Sequence, residues 1–296
     1  LSFLLVVYST FLTKSGILGD TSVHSFVDSG ILPQLLAFLL GCCVLFTTLT
    51  LPPGRERLAF AGLQLALSIG VMLGQPAVCI LFMLTLMTAA VLRGHLAHLP
   101  RTDKESPLWT REFWMFVGGM LMFASAVHIT FQTSLPVLNH FLEPFSGLFN
   151  RLFQSTGWPL ARKLAAHDLA PGTDFDATYH AVQVPLAFLF ISITAFTQYL
   201  RYRTDSGKGL FMKLLRSLLV AVVLTGAFLL AYDFDTREAP RVALLHACLW
   251  SAAANADYVV QVLKGQWNFA GASLSHIGFA LVIFGAVLST AKKDII

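Results

Sequence analysis

Long apolar segments separated by short polar ones run along almost the whole chain of 296 residues. A helix that crosses a membrane needs roughly 20 mostly apolar residues. A truncated apolar run, Leu1–Phe11, opens the chain and eight further windows follow it. We therefore predict an all-α polytopic integral membrane helical bundle of about eight to nine transmembrane helices. The windows are Leu32–Leu51, Leu58–Leu73, Ala77–Leu92, Phe113–Phe131, Val184–Leu200, Leu214–Tyr232, Val242–Val262 and Leu274–Ser289.

Two of these windows meet at Gly74-Gln75-Pro76. The pattern there fits two short helices in a hairpin or one long broken element. Proline is favoured in the first turn of a helix, where its missing N–H costs nothing. Pro76 therefore favours the hairpin.

Composition excludes several classes of protein. Hydrophobic residues make up 56% of the chain and charged ones 12%, whereas soluble domains contain about 25% charged residues. Lysine and arginine occur in short loops between apolar windows rather than in one cluster, so we expect no nucleic-acid partner. The four cysteines lie inside apolar runs without a Cys-x-x-Cys pair, which indicates neither a redox pair nor a zinc site.

The basic residues also predict which side each loop faces, because cytoplasmic loops are enriched in Lys and Arg. If the helices alternate, the loops on one side carry twelve of the 20 basic residues and the much longer segments on the other side carry eight. The loop that contains His24 is on the side with fewer basic residues, which we assign as the outward side. The largest outward segment is the insert 132–183, in which Pro136–Phe153 has the apolar spacing of an interfacial amphipathic helix. We treat 1–296 as a single membrane domain that carries this insert.

Of the nine histidines, three lie inside apolar windows: His128, His246 and His276. An ionisable group in lipid is costly and usually faces a cavity or a partner. Small residues precede His276, and Gly278 follows it, so a flat ligand could approach the backbone. Metal or haem ligation and a helix–helix hydrogen bond both remain open for His276. His246 lies near the outward end of its window and His276 near the inward end, so we do not expect them to share one iron.

Several short motifs resemble the CcmF family, the haem lyase subunit of bacterial cytochrome c maturation, related to NrfE- and CcsA-type assembly proteins. Thr10-Phe-Leu-Thr-Lys-Ser-Gly followed by Ser22-Val-His-Ser-Phe is similar to that family's Thr-Arg-Ser-Gly … Ser-Val-His-x-Phe signature. Ser275-His276-Ile-Gly-Phe-Ala resembles its membrane histidine segment. Weaker matches follow in order at Trp109–Gly118, Thr133–Pro136 and Tyr179–Leu186.

The resemblance implies a set of site residues. It makes His24 an axial ligand to haem presented at the outer surface, and His276 a ligand to a b-type haem held in the membrane. Lys14 would face an anionic group such as a haem propionate. In this family two further histidines and a tryptophan-rich loop complete the sites, and we expect these before Leu1, in a longer protein.

The resemblance also implies the function. CcmF-like proteins attach haem through thioether bonds to an apocytochrome c Cys-x-x-Cys-His. They act with a haem chaperone and thiol-handling subunits in the bacterial inner membrane, and quinol is the candidate electron donor. The His24 loop would then be periplasmic, and catalysis would consist mostly of positioning haem against the thiols.

Some features depart from the family pattern. Lys14 stands where the family has Arg, and so lacks the planar fork that suits a carboxylate. The stretch from Pro52 to Arg93 matches no part of it. Two rivals remain: a multi-pass transporter of haem or a small solute, and a non-catalytic assembly subunit. For Lys14, anchoring to membrane lipid head groups is the competing interpretation.

Overall fold

The computed structural model describes residues 2–18, 30–72, 76–98, 107–166, 169, 174–201, 209–232 and 239–291. Within these ranges the chain forms eleven α-helices, two 3₁₀ turns and connecting bends, in agreement with the predicted all-α class. The helices are α1 (Ser2–Lys14), α2 (Leu32–Thr50), α3 (Arg55–Met72), α4 (Pro76–His98), α5 (Arg111–Leu142), α6 (Ser146–Thr156), α7 (Pro159–Ala165), α8 (Phe175–Thr197), α9 (Leu210–Ala231), α10 (Ala239–Gln261) and α11 (Gly271–Ala291).

Five of the described helical segments are long and apolar enough to cross a membrane, in α2, α5, α8, α9 and α11. The predicted membrane bundle is therefore supported, but the predicted count of eight to nine spans is not. The apolar parts of α1 and α4 are shorter, at Phe3–Lys14 and Cys79–Gly94. In α3 and α10 polar residues interrupt the apolar windows, including Gln64 and Asn255.

The helices group into two compact units. The first unit contains Leu1–Thr102 and Gln132–Pro171, and the second contains Asp103–Phe131 and Gly172–Ile296. The boundary between them falls within α5.

In the first unit, α3 and α4 are separate helices that pack side by side. The Gln64 side chain, fully buried, donates to the Met83 carbonyl at 3.3 Å. Near the start of α3 and the end of α4, a guanidinium nitrogen of Arg93 lies 2.8 Å from a carboxylate oxygen of Glu56. These contacts confirm the hairpin that Pro76 favoured.

The end of α1 is fixed by its sequence and by packing. Ser15 donates its N–H to the Phe11 carbonyl, and Gly16 follows with φ of 80°, a left-handed conformation that suits glycine. Phe11 and Leu12 are buried in a cluster with Leu18 of the following turn and Val137 of α5. The cluster continues onto α2, so this corner of the first unit joins three helices.

The predicted amphipathic helix of the insert, Pro136–Phe153, differs from the observed one. Residues 136–142 of the predicted helix instead continue α5, which runs without a break past Pro136 to Leu142. Leu135 and Val137 are buried on either side of this proline, so packing outweighs the single backbone bond that proline removes. At 32 residues α5 is about 48 Å long, well beyond the roughly 30 Å hydrocarbon layer. A 3₁₀ turn at Glu143–Phe145 then leads into α6.

In the second unit α10 is the central helix and packs against α8, α9 and α11. Its buried positions recur every three or four residues, and many of them are small, including Ala247, Ser251 and Ala254. Small residues let membrane helices approach closely. Ile191, Leu245, Cys248 and other apolar side chains fill the space between the helices.

Successive helices of the second unit alternate in direction, as the loop assignment assumed. Thr225, late in α9, contacts His246, early in α10, whereas Arg216, early in α9, contacts Asp257, late in α10. Val287, late in α11, shares a buried cluster with Leu244, early in α10. The unit therefore has two chemically different ends.

We predict that Gly16→Ala lowers the free energy of unfolding by about 1–2 kcal/mol, because Ala must adopt a left-handed backbone there. The measurement is denaturant unfolding of the detergent-solubilised protein. Gly119→Ala in α5 is the matched control: an added Cβ meets nothing within 4 Å, and Ala should stabilise the helix by about 0.5–1 kcal/mol. Equal effects at both positions would contradict the role assigned to Gly16.

Candidate functional site

Two of the three predicted site residues fall within the described part of the chain, and they belong to different units. Lys14 is the last residue of α1, with its side chain exposed. His276 is the sixth residue of α11. His24 lies outside the described residues, so its predicted role as a haem ligand stays a prediction.

Two segments at or next to the motifs that carry the family resemblance pack together along the second half of α1. The Tyr8 hydroxyl of α1 is hydrogen-bonded to the Ser134 hydroxyl of α5. Phe11 and Leu12, inside the Thr10–Gly16 motif, pack against Val137, which directly follows the Thr133–Pro136 motif. A positive side chain at a helix C-terminus is also favoured by the helix dipole. A contact between two residues that are 126 positions apart in sequence thus helps to hold the second half of α1 in place.

The imidazole of His276 is half-buried, and its Nδ1 atom is buried without a hydrogen-bond partner among the described residues. The surrounding backbone is open, because a Cβ added at Gly271 or Gly278 would meet nothing within 4 Å. At about 3.6 residues per turn, both glycines lie on the far side of α11 from His276, whose ring is on the face of the buried Ser273 and Ala280.

His246 is in a different environment. Its Nδ1 atom lies 2.9 Å from the Thr225 hydroxyl, which itself donates to the Ala221 carbonyl at 2.7 Å. Since a hydroxyl has one proton, this pattern assigns Nδ1–H of His246 as the donor to Thr225. His246 lies eight residues into α10 and His276 six residues into the oppositely directed α11, so they lie toward opposite ends of the unit.

The third membrane histidine, His128, is held by Gln183 of α8. The Gln183 amide nitrogen donates to His128 Nδ1 at 3.0 Å and to the Ser125 carbonyl at 3.3 Å. The Ser125 hydroxyl in turn donates to the Gln183 carbonyl oxygen at 2.6 Å. Because an amide nitrogen only donates, His128 Nδ1 is an acceptor here. Every hydrogen-bonding atom of the Gln183 side chain is paired.

A group of buried polar side chains between α8 and α10 was not anticipated from the sequence. The hydroxyls of Thr194 and Ser251 are 2.9 Å apart, and the Asn255 amide donates to the Ser251 carbonyl at 2.9 Å and the Thr194 carbonyl at 3.4 Å. Asn255 is fully buried, yet its Oδ1 atom has no partner within the described ranges. The nearby Gln198 accepts from Arg111 at 3.4 Å, and its own Nε2 is buried and likewise unpartnered.

An ion pair lies beyond this group, toward the same end of the second unit. Arg216 donates to the Asp257 carboxylate at 2.6 Å, and the Tyr199 hydroxyl donates to the same oxygen at 2.7 Å. Burial raises the pKa of the Tyr199 phenol, and the adjacent Asp257 raises that pKa further. Tyr199 therefore remains a neutral donor that fixes the carboxylate.

A regular spacing in the sequence could have revealed the buried polar group. Thr194 and Gln198 are four residues apart on α8, and Ser251 and Asn255 are four residues apart on α10. Residues at this spacing share one helix face. Polar pairs on one face within otherwise apolar helices indicate a polar interface inside the bundle.

The arrangement limits the chemistry that the described residues can perform. Among them, no group of three or more His, Cys, Asp and Glu side chains could enclose a metal ion. His276 could supply one axial imidazole to a planar cofactor. Comparisons with protein-family models, curated proteins and solved structures give no match to this chain.

We predict that Thr194 and Ser251 are energetically coupled across the α8–α10 interface. A double-mutant cycle of Thr194→Val and Ser251→Ala should give a coupling free energy of about 0.6 kcal/mol, with about 1.7 kcal/mol as the upper bound for such bonds in membranes. The measurement is reversible unfolding in mixed micelles. A cycle of Thr194→Val with Thr225→Val is the control, because these two hydroxyls bond different partners and should be additive. Equal coupling in both cycles would contradict the contact.

Proposed function

We propose that this chain is part of a CcmF-like cytochrome c biogenesis protein. Such a protein holds haem at the outer membrane face for attachment to apocytochrome c. The observation that supports the proposal most is the meeting of two motif segments in the first unit. Tyr8, two residues before the Thr10–Gly16 motif, is hydrogen-bonded to Ser134 of the Thr133–Pro136 motif. Phe11 and Leu12 of the first motif share a buried cluster with Val137, which directly follows the second. Motifs that carry one resemblance are expected to converge if they build one site.

In this proposal haem is the substrate, and its vinyl groups are joined to the two thiols of a Cys-x-x-Cys-His segment. His24 supplies an axial imidazole, and Lys14 provides a positive charge for a propionate. Their contribution is orientation of the macrocycle, so the rate advantage comes from proximity. The exposed position of Lys14 at the end of α1 agrees with a partner outside the helices.

His276 is the candidate ligand for a second, membrane-held haem b. One observation favours the fit: Nδ1 of the ring is buried and has no hydrogen-bond partner among the described residues. Haem in such a position supplies one-electron redox chemistry. His246 lies toward the other end of the unit, so it does not supply the second axial ligand, and we propose a histidine outside the described residues instead.

The proposal includes a setting for the protein. It is a multi-pass protein of the bacterial inner membrane with eight to nine spans and the His24 loop in the periplasm. Its partners are apocytochrome c, a haem chaperone and thiol-handling subunits, with quinol as electron donor. The basic side chains in the loops and the five apolar helices are compatible with this setting.

A transporter of haem or a small solute is the second candidate. The buried polar group of the second unit favours it, since Gln198 and Asn255 keep unpartnered atoms between membrane helices. Transport pathways use such atoms to bind ions or solutes. The absorption spectrum of the purified protein separates the candidates, because a resident haem b gives a Soret band and a transporter in its empty state gives none.

We predict that His24→Ala abolishes formation of c-type cytochromes in cells that depend on this protein, because the presented haem loses an axial ligand. Added imidazole should partly restore formation by filling the vacant coordination position. The measurement is haem staining of membrane proteins after denaturing electrophoresis. His140→Ala is the control, since His140 lies on α5 and stacks against the neighbouring Phe141. Undiminished maturation in His24→Ala would refute the assignment.

We also predict that His276→Ala removes a low-spin b-type band from the reduced-minus-oxidised spectrum. His246→Ala should leave this band, because its imidazole is engaged with Thr225 and lies toward the opposite end of the unit. Both variants need the same expression level and detergent for comparison. Loss of the band in His246→Ala with its survival in His276→Ala would show that the histidine assignment is wrong.

A further inference from the structure

A groove opens at one end of the second unit, between the first half of α8, the start of α10 and the last turns of α11. Its volume is about 460 Å³, within the range of about 300–1,000 Å³ that is usual for ligand pockets in proteins. All of its lining residues belong to one compact unit. The groove is distinct from the buried polar group, which lies toward the other end of the same helices.

The residues that line the groove change from basic at its mouth to aliphatic along its length. His180 and Arg241 lie near the first turns of their helices, so the basic groups are at the end of the unit. Farther along the helices the walls are aliphatic, with Ala187, Leu244 and Ile283. Arg241 is half-buried while His180 is exposed, so both can meet a ligand at the mouth. The groove thus combines a cationic mouth with an apolar floor.

This combination selects a class of ligand. A small anion would use the mouth but leave the aliphatic walls empty, and a neutral hydrocarbon would gain nothing from the positive charge at the mouth. A guanidinium suits phosphate oxygens because its N–H groups form a planar fork. At a helix end, where a membrane protein meets the headgroup layer, the ligand with both properties is an anionic phospholipid.

We propose that this groove is a binding site for an anionic phospholipid. Arg241 and His180 contact the phosphate-bearing headgroup, and one acyl chain lies along Leu244 and Ile283 toward the middle of α11. The site is independent of the proposed function, since neither His24, Lys14 nor His276 lines it. A protein with another activity could bind lipid here in the same way.

The test is lipid titration of the delipidated, detergent-solubilised protein followed by native mass spectrometry. The probes are phosphatidylglycerol and phosphatidylcholine with the same acyl chains, and the protein should bind the first more tightly. Arg241→Gln should weaken phosphatidylglycerol binding by at least about fivefold, since one basic residue near a headgroup contributes about 1 kcal/mol. Its effect on phosphatidylcholine should be small.

A second variant tests the apolar floor. Ala286 lines the groove on α11 and is exposed, so Ala286→Trp should fill the space and weaken phosphatidylglycerol binding while Arg241 remains. The matched charge control is Lys213→Gln, because Lys213 is an exposed cation at the start of α9, toward the other end of the unit. This control should leave binding unchanged. Gel filtration and thermal unfolding of each variant confirm that the fold is retained.

Several outcomes would overturn the proposal. Equal affinity for the two lipids would show that the headgroup charge is not recognised. An equal loss in Lys213→Gln and Arg241→Gln would show general attraction to the protein surface. Unchanged binding in a folded Ala286→Trp would place the lipid elsewhere. Complete displacement by millimolar inorganic phosphate would indicate a site for free phosphate without the acyl chain.

Discussion

The structure depends on one constraint: a polar group inside a bilayer has to find its partner within the protein. For the backbone this is met by helices, and helices are what the described residues form. For side chains it is met by pairing between helices. Gln64 bonds the Met83 carbonyl, Gln183 bonds Ser125 and His128, and Thr225 bonds His246. These contacts specify which faces of the helices meet. Apolar packing alone restricts the choice of contacting faces less.

The same constraint explains what could be predicted from the sequence. Helix positions follow from local apolarity, so each predicted window overlaps an observed helix, although α8 begins nine residues before its window and α5 ends eleven residues after its own. The break before Pro76 was also a local property, and it proved to be the start of α4. The continuation of α5 past Pro136 was not local, because it depends on burial of Leu135 and Val137 against other helices. The predicted count of eight to nine spans is not confirmed, since five described helical segments are long and apolar enough to cross a membrane. Helix α10 tolerates Ser251 and Asn255 since they face α8, and apolar windows do not reveal that pairing.

The candidate site was less accessible to prediction than the fold. Residue type and motif could single out His276, but they could not distinguish its environment from that of His128 or His246. Nδ1 of His128 accepts a hydrogen bond from an amide, and Nδ1 of His246 donates one to a hydroxyl. Nδ1 of His276 is buried and has no hydrogen-bond donor or acceptor beside it among the described residues. These differences arise from contacts more than 20 residues away along the chain, and a sequence pattern within one helix does not contain them.

An unpartnered imidazole nitrogen in a membrane helix costs free energy unless water or a ligand pairs with it. Gln198 and Asn255 carry the same cost, and with His276 they all lie toward the end of the second unit where Arg111 and Arg216 also lie. The opposite end has its basic residues at an open groove instead. One end of the unit therefore has unsatisfied buried atoms suited to a polar or coordinating ligand, and the other has a surface suited to an amphiphile. On α11, Ile283 of the groove and His276 are seven residues apart, about 10 Å along the helix, so the two kinds of binding use different atoms of one unit.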